Sequence, residues 1–132
     1  MGDRLANKVA IVTGAGSIGE GWGNGKATAV LFAREGARIM AVDVNAAAAR
    51  ETAEIITSEG GDCVVCECDV SDATQVEAMV AACVEAYGRV DTLHNNVGIA
   101  ELGGAVEASE ESWDRVMDVN LKSVFLTCKH VL

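Results

Sequence analysis

The alternation of short apolar runs with helical patterns is the sequence feature that most restricts how this chain can fold. Predicted strands cover residues 9–13, 38–42, 63–68 and 92–94. Predicted helices cover residues 25–35, 46–59, 72–87 and a last segment from about Glu110 to the end. Strands that alternate with helices favour an α/β fold with a parallel sheet, right-handed crossovers and helices on both faces.

Length and charge restrict the class of protein further. The chain has 132 residues, and we interpret residues 1–132 as one domain. It carries 20 acidic and 10 basic residues, for a formal net charge of −10. This balance argues against binding to nucleic acid or to an anionic membrane, because both need clustered Lys and Arg. The first residues lack the apolar run of a signal peptide, so we expect a cytoplasmic protein.

Three of the five cysteines lie close enough in sequence to raise the question of a metal site. Cys63, Cys66 and Cys68 fall on one predicted strand, where Cys63 points to the face opposite the other two. No matching pair of Cys or His follows at zinc-finger spacing. We therefore predict small, reduced, buried hydrophobic residues and no metal site.

A glycine-rich loop follows the first predicted strand. Six of the twelve residues from Gly14 to Gly25 are glycine, and a helix follows directly. Glycine lets the backbone approach an anion, and a helix N-terminus supplies free N–H groups. A flexible turn is the alternative, but the position between first strand and first helix favours a phosphate-binding loop.

Two aspartates end the next two predicted strands. Asp43 lies 18 positions after Gly25, where a carboxylate can bind both ribose hydroxyls of an adenosine and repel a 2′-phosphate. Neither residues 15–17 nor residues 44–45 contain Lys or Arg, so NAD is favoured over NADP. Asp69 could accept a hydrogen bond from the adenine amino group. Its alternative role is that of an acid at a helix N-terminus, near Ser71.

Amides mark the last two candidate positions. Asn95 and Asn96 end the fourth strand and could tie neighbouring strand ends together, although Asn and Gly are also ordinary turn residues. Asn120 is the one polar position in an apolar stripe of the last helix, formed by Trp113, Val116, Met117, Leu121, Val124, Phe125 and Cys128. An unpaired buried amide costs a few kcal/mol, so Asn120 must bond to backbone, water or a catalytic network.

Together these residues resemble the short-chain dehydrogenase/reductase family over essentially the whole chain. Thr13-Gly14 with Gly23-Asn24-Gly25 is similar to its Thr-Gly-x-x-x-Gly-x-Gly loop, and residues 95–98 to its Asn-Asn-Ala-Gly motif. The resemblance implies a Rossmann-like doubly wound sheet of order 3-2-1-4. It assigns catalysis to Asn120, and NAD binding to Gly14, Ser17, Gly23, Asn24, Gly25, Asp43, Asp69, Val70, Asn96, Val97 and Gly98.

The chain departs from the family pattern in three places. Eight residues separate Gly14 from Gly23 where the family has three, so the loop resembles the longer loop of enoyl reductases. Val97 replaces the usual alanine. The Ser and the Tyr-x-x-x-Lys pair of the family's catalytic tetrad do not occur, since Tyr87 is the sole tyrosine and Asp91 follows four residues later.

The resemblance implies hydride transfer between nicotinamide and an alcohol or carbonyl substrate, in a homo-oligomer. We interpret the chain as the cofactor-binding, amino-terminal part of such an enzyme, truncated after the helix that follows strand 4 and unable to catalyse alone. We expect a second chain or a missing carboxy-terminal segment to cover the edge of strand 4 and the apolar stripe. A non-catalytic NAD-binding or scaffolding module is the alternative, and a structural domain without nucleotide is a third.

Overall fold

A single parallel sheet organises the protein. The computed structural model describes residues 2–132, and Met1 lies outside the described residues. The strands are β1 (Val9–Thr13), β2 (Arg38–Asp43), β3 (Cys63–Glu67) and β4 (Thr92–His94), in the order β3-β2-β1-β4. The helices are α1 (Asn24–Arg34), α2 (Ala46–Ser58), α3 (Ala73–Tyr87), α4 (Glu110–Met117) and α5 (Ser123–Val131). The predicted doubly wound fold and strand order are confirmed, and the first seven elements match their predicted bounds within one residue.

Each face of the sheet has its own core, and β1 contributes to both. Ala10 and Val12 lie in a cluster with apolar residues of α1 and α2. Val9 and Ile11 lie in a second cluster with residues of α3 and with Leu126 of α5. All five residues of β1 are buried, as is typical of a central parallel strand covered on both sides.

Side-chain caps fix where several helices begin. Asp72 accepts the backbone N–H groups of Thr74 and Gln75, and the hydrogen bond from Gln75 is the main cause that lowers the pKa of this carboxyl. Ser109 accepts the N–H of Ser112 at 3.0 Å and caps α4. Capping therefore sets the start of α3 and α4 locally, before any packing is considered.

The last helical segment differs from the single helix that the sequence predicts. A turn of π-helix, Asp118–Lys122, separates α4 from α5 and contains Asn120. One residue more per turn rotates the following helix by about 100° relative to a continuous α-helix. In the structure α5 buries Ser123, Leu126 and Thr127, whereas Phe125 of the predicted stripe is exposed.

The cysteines are divided between the two cores as predicted. Cys63 packs on the α1–α2 side of the sheet, whereas Cys66 and Cys68 lie on the α3–α5 side. Burial raises the pKa of the Cys63 and Cys68 thiols to about 12, so both are neutral at physiological pH. Within residues 2–132 no three potential ligands form a metal-binding group.

In the part of the chain that the structure describes, no helix is long and apolar enough to cross a membrane.

Candidate functional site

One cleft of about 860 Å³ opens at the carboxyl ends of the strands. The loops that follow all four strands line it on one side, and α4 with the start of the π turn lines it on the other. This is the crevice where doubly wound sheets bind ligands. The eleven residues predicted to bind the cofactor all line it, namely Gly14, Ser17, Gly23, Asn24, Gly25, Asp43, Asp69, Val70, Asn96, Val97 and Gly98.

Close backbone approaches shape the glycine-rich side of the cleft. Gly14 has φ +63°, in the left-handed region that favours glycine. A Cβ at Gly25 would lie 1.8 Å from the Gly14 carbonyl oxygen, because α1 begins directly against the loop. A Cβ at Gly16 would lie 2.4 Å from that of Ala48 in α2. The loop is therefore packed between two helices in a form that only glycine permits at these positions.

The start of α1 fits an anionic group such as a pyrophosphate. Gly23 is the N-cap residue and supplies no side-chain cap, and the first turn of α1 contains no acid. Asn24 and Gly25 of that turn line the cleft. Uncapped N–H groups and the helix dipole favour negative charge at such an end. These N–H groups can therefore receive an anion, and the phosphate-binding role of the loop stays a prediction.

Asp43 binds the glycine loop with one carboxylate oxygen and the start of α2 with the other. Its Oδ2 accepts the N–H of Gly16 at 3.0 Å, and its Oδ1 accepts the N–H of Asn45 at 2.9 Å. Each oxygen keeps further acceptor capacity toward the cleft. Among the lining residues of the described chain the one basic side chain is Arg115, on the opposite wall. The surroundings of Asp43 are therefore unfavourable for an additional phosphate.

Asp69 lines the cleft and orders the turn before α3, and its contact with adenine stays a prediction. Its Oδ1 accepts both the N–H and the hydroxyl of Ser71, at 3.0 and 2.6 Å. Its own N–H donates to Gln75 Oε1 at 2.9 Å. The carboxylate thus orders the turn before α3 while it faces the cleft.

The paired amides connect neighbouring elements, as the sequence suggested. Asn96 donates its N–H to Thr13 Oγ1 at 3.1 Å and its side-chain amide to the Gly14 carbonyl at 3.3 Å. Asn95 Oδ1 accepts the hydroxyl of Thr127 at 2.7 Å. The end of β4 is therefore joined to the end of β1 on one side and to α5 on the other.

Asn120 is engaged with backbone. Its Oδ1 accepts the N–H of Ile99 at 2.7 Å, and its Nδ2 donates to the Ile99 carbonyl at 2.8 Å. Ile99 and Val119 line the cleft, whereas Asn120 itself does not. The amide therefore fixes the loop after β4 beside the cleft, and its catalytic role stays a prediction.

The wall that α4 contributes to the cleft was not predictable from the sequence. Glu111, Asp114 and Arg115 line the cleft, and Arg115 donates to Glu101 Oε1 at 3.1 Å. In the sequence these side chains form the ordinary polar face of an amphipathic helix. No motif marks them, so no sequence signal separates them from solvated residues.

Comparisons with known proteins identify the family to which this cleft belongs. The family model described as short chain dehydrogenase matches residues 8–132. The chain belongs to the short-chain dehydrogenase family. A D-threitol dehydrogenase of Mycolicibacterium smegmatis is 42% identical over 97% of this chain and 47% of its own length.

Solved structures agree with this family assignment. A Burkholderia xenovorans protein assigned to the short-chain dehydrogenases/reductases is 50% identical, with a TM-score of 0.95 over 98% of this chain and 51% of its own. A 7α-hydroxysteroid dehydrogenase, solved with NADH and 7-oxo glycochenodeoxycholic acid, is 32% identical with a TM-score of 0.89, over 97% and 48% of the two chains. The chain thus spans about half the length of the short-chain dehydrogenases that it matches.

Proposed function

We propose that this chain binds NAD in the cleft and supplies the cofactor-binding domain, residues 1–132, of a short-chain dehydrogenase. The reaction is hydride transfer between nicotinamide and the alcohol or carbonyl group of a small-molecule substrate. The observation that carries the proposal is that an uncapped helix N-terminus and the Asp43 carboxylate face one cleft at the strand ends. A dinucleotide needs both features, one for its pyrophosphate and one for its ribose.

The proposed roles follow the position of each residue along the cleft. The bound cofactor supplies the nicotinamide carbon that gives or takes the hydride. The glycine loop would hold the pyrophosphate, the residues at the ends of β2 and β3 would hold the adenosine, and those at the end of β4 would hold the nicotinamide half. The corresponding side chains and backbone groups are Gly14, Ser17, Gly23, Asn24 and Gly25, then Asp43, Asp69 and Val70, then Asn96, Val97 and Gly98.

Charge supports NAD over NADP. A 2′-phosphate would lie beside the Asp43 carboxylate, and residues 15–17 and 44–45 offer it no Lys or Arg. Coulomb repulsion in a partly closed cleft then favours the free ribose hydroxyls. Asn120 keeps the catalytic role that the resemblance implies, because its amide holds the Ile99 backbone at the cleft with one donor and one acceptor bond and has capacity for a further partner.

The setting of the enzyme is part of the same proposal. We place it in the cytoplasm, without nucleic-acid or membrane partners, as a homo-oligomer. The exposed side chains of Trp113, Leu121 and Phe125 support a covered face on the last helices. A second chain or a further segment of the protein would also cover the edge of β4.

Calorimetric titration with NAD⁺ and NADP⁺ tests the proposal. The chain should bind NAD⁺ more tightly than NADP⁺. Asp43→Asn should weaken NAD⁺ binding about tenfold, because a charged hydrogen bond to the ribose is lost. It should also reduce the ratio of the NAD⁺ affinity to the NADP⁺ affinity. If the substitution loosens the contact between residue 43 and Gly16, the binding of both cofactors should weaken by the same factor. A change in the ratio of the two affinities therefore reports the effect of the Asp43 charge alone.

Glu54→Gln is the matched control, since it removes one negative charge from an exposed position of α2. It should leave both affinities unchanged. Absence of heat at millimolar NAD⁺ would contradict the proposed function, and an unaltered preference in Asp43→Asn would contradict the role of Asp43.

A further inference from the structure

The residues that lengthen the glycine loop are folded back on themselves. Ser17 Oγ accepts the N–H of Gly23 and donates to the Gly21 carbonyl, both at 2.9 Å. Lys26 Nζ donates to the same carbonyl at 3.4 Å. Gly21, with φ +95°, is therefore the point where the extra residues are fastened to the start of α1.

Lys26 occupies an unusual position for a cation. It lies in the first turn of α1, where the helix dipole disfavours positive charge, and it is only 9% exposed. Its ammonium group lies 5.0 Å from the centre of the Trp22 ring. The carbonyl and the ring face compensate a charge that burial and the dipole both oppose.

The lining of the cleft carries an excess of negative charge that the Lys26 cation can partly offset. Five acids line the cleft, and its one arginine is already paired with Glu101. The acids are Asp43, Asp69, Glu111, Asp114 and Asp118. A pyrophosphate adds two further negative charges. Lys26 follows Gly25 of the cleft wall without lining the cleft itself, and its ammonium group contacts Gly21 and Trp22 of the same loop.

We propose that Trp22 and Lys26 form a clasp that holds the lengthened loop in its cofactor-binding shape, with Lys26 as a positioning residue. The inference rests on the proposed function, because the clasp matters only if the loop binds a dinucleotide. Without the clasp, a smaller fraction of molecules has the competent loop, and the apparent affinity falls by that fraction. The clasp also keeps a positive charge beside the pyrophosphate site.

Substitution of Trp22 is the first test, because its side chain is 58% exposed and its loss leaves the core intact. Trp22→Leu should raise the Kd for NAD⁺ about three- to fivefold, which is the size of an exposed cation–π contact. Trp22→Phe keeps a ring and should retain most of the affinity. Trp113→Leu is the matched control, since Trp113 is 64% exposed and lies outside the cleft lining.

Substitution of Lys26 is the second test. Lys26→Met should raise the Kd about tenfold, since it removes the contacts to both the carbonyl and the ring. Lys26→Arg, which keeps the charge, should recover part of the affinity. The control is Lys129→Met, because Lys129 also lies over an aromatic ring, that of Phe125 at 5.9 Å, but on α5.

The fluorescence of Trp22 measures its contact with Lys26 in the absence of cofactor. In a Trp113→Phe background Trp22 is the sole tryptophan, and Lys26→Met should shift its emission, whereas Lys129→Met should not. If Lys26→Met lowers the melting temperature, the Kd of Trp22→Leu for NAD⁺ alone tests whether the clasp contributes to binding.

The outcomes separate this inference from the proposed function. Failure of the unaltered chain to bind NAD⁺ overturns both. The clasp alone is overturned if the unaltered chain binds NAD⁺ and both Trp22→Leu and Lys26→Met bind it with the same affinity as the unaltered chain. Weakening by both variants, with both controls unchanged, supports the clasp.

Discussion

The two ends of the chain differ in how far they bury their own apolar residues. Every residue of β1 is buried, and β2 is enclosed between β1 and β3 in the middle of the sheet. By contrast α4 and the π turn contain no buried residue, and Phe125 of α5 is 61% exposed. The comparison shows that an apolar stripe on a helix becomes core only where another element of the described chain lies opposite.

The same contrast runs through the cleft. Its glycine-loop side lies between α1 and α2 and is fixed by contacts with the enclosed strands, such as the bond from Ala15 N–H to the Val42 carbonyl at 3.0 Å. Its other wall belongs to α4, where Arg115 pairs with Glu101 at the surface. The part proposed to bind the cofactor is thus carried by the better-packed end of the molecule.

The largest effect is expected from a cavity in the enclosed end. Ile39 is completely buried and packs in the cluster with α1 and α2. Ile39→Ala should lower the free energy of unfolding by about 2–5 kcal/mol, through lost transfer energy and the cavity left behind. Urea denaturation measures this change. A loss below about 1 kcal/mol would mean that this end is more plastic than its burial indicates.

An intermediate effect is expected from the glycine loop. Gly25→Ala places a Cβ against the Gly14 carbonyl oxygen, a backbone atom that cannot turn aside. We expect the affinity for NAD⁺ to fall at least about tenfold, or roughly 1.4 kcal/mol. Gly19→Ala is the control, because nothing lies within 4 Å of its Cβ position. Equal affinities in the two variants, measured by calorimetry, would contradict the tight loop.

The smallest effect is expected at the exposed end. Phe125→Ala removes a ring that lies mostly in solvent, so at low protein concentration the free energy of unfolding should change by no more than about 0.5 kcal/mol. Denaturation at several protein concentrations checks this expectation. A loss of stability that grows with concentration would show that copies of the chain bury this face in one another.

The strands and their helices were predictable because each carries its own periodic signal. The cleft was predictable because Asp43, Asp69 and Asn96 end successive strands, and parallel strands bring such ends together. The π turn was not predictable, because the apolar stripe of the last segment also fits a continuous α-helix. The contact of Lys26 with Trp22 was also invisible, because it depends on how the loop folds back.

The double anchorage of Asp43 makes selectivity and loop order two properties of one carboxylate. Under the proposed function, the group that rejects a 2′-phosphate also holds the N–H groups of Gly16 and Asn45. An engineer who replaced it to admit NADP would release the loop in the same step. A successful redesign would therefore have to supply a new acceptor for Gly16 before any added arginine could increase affinity.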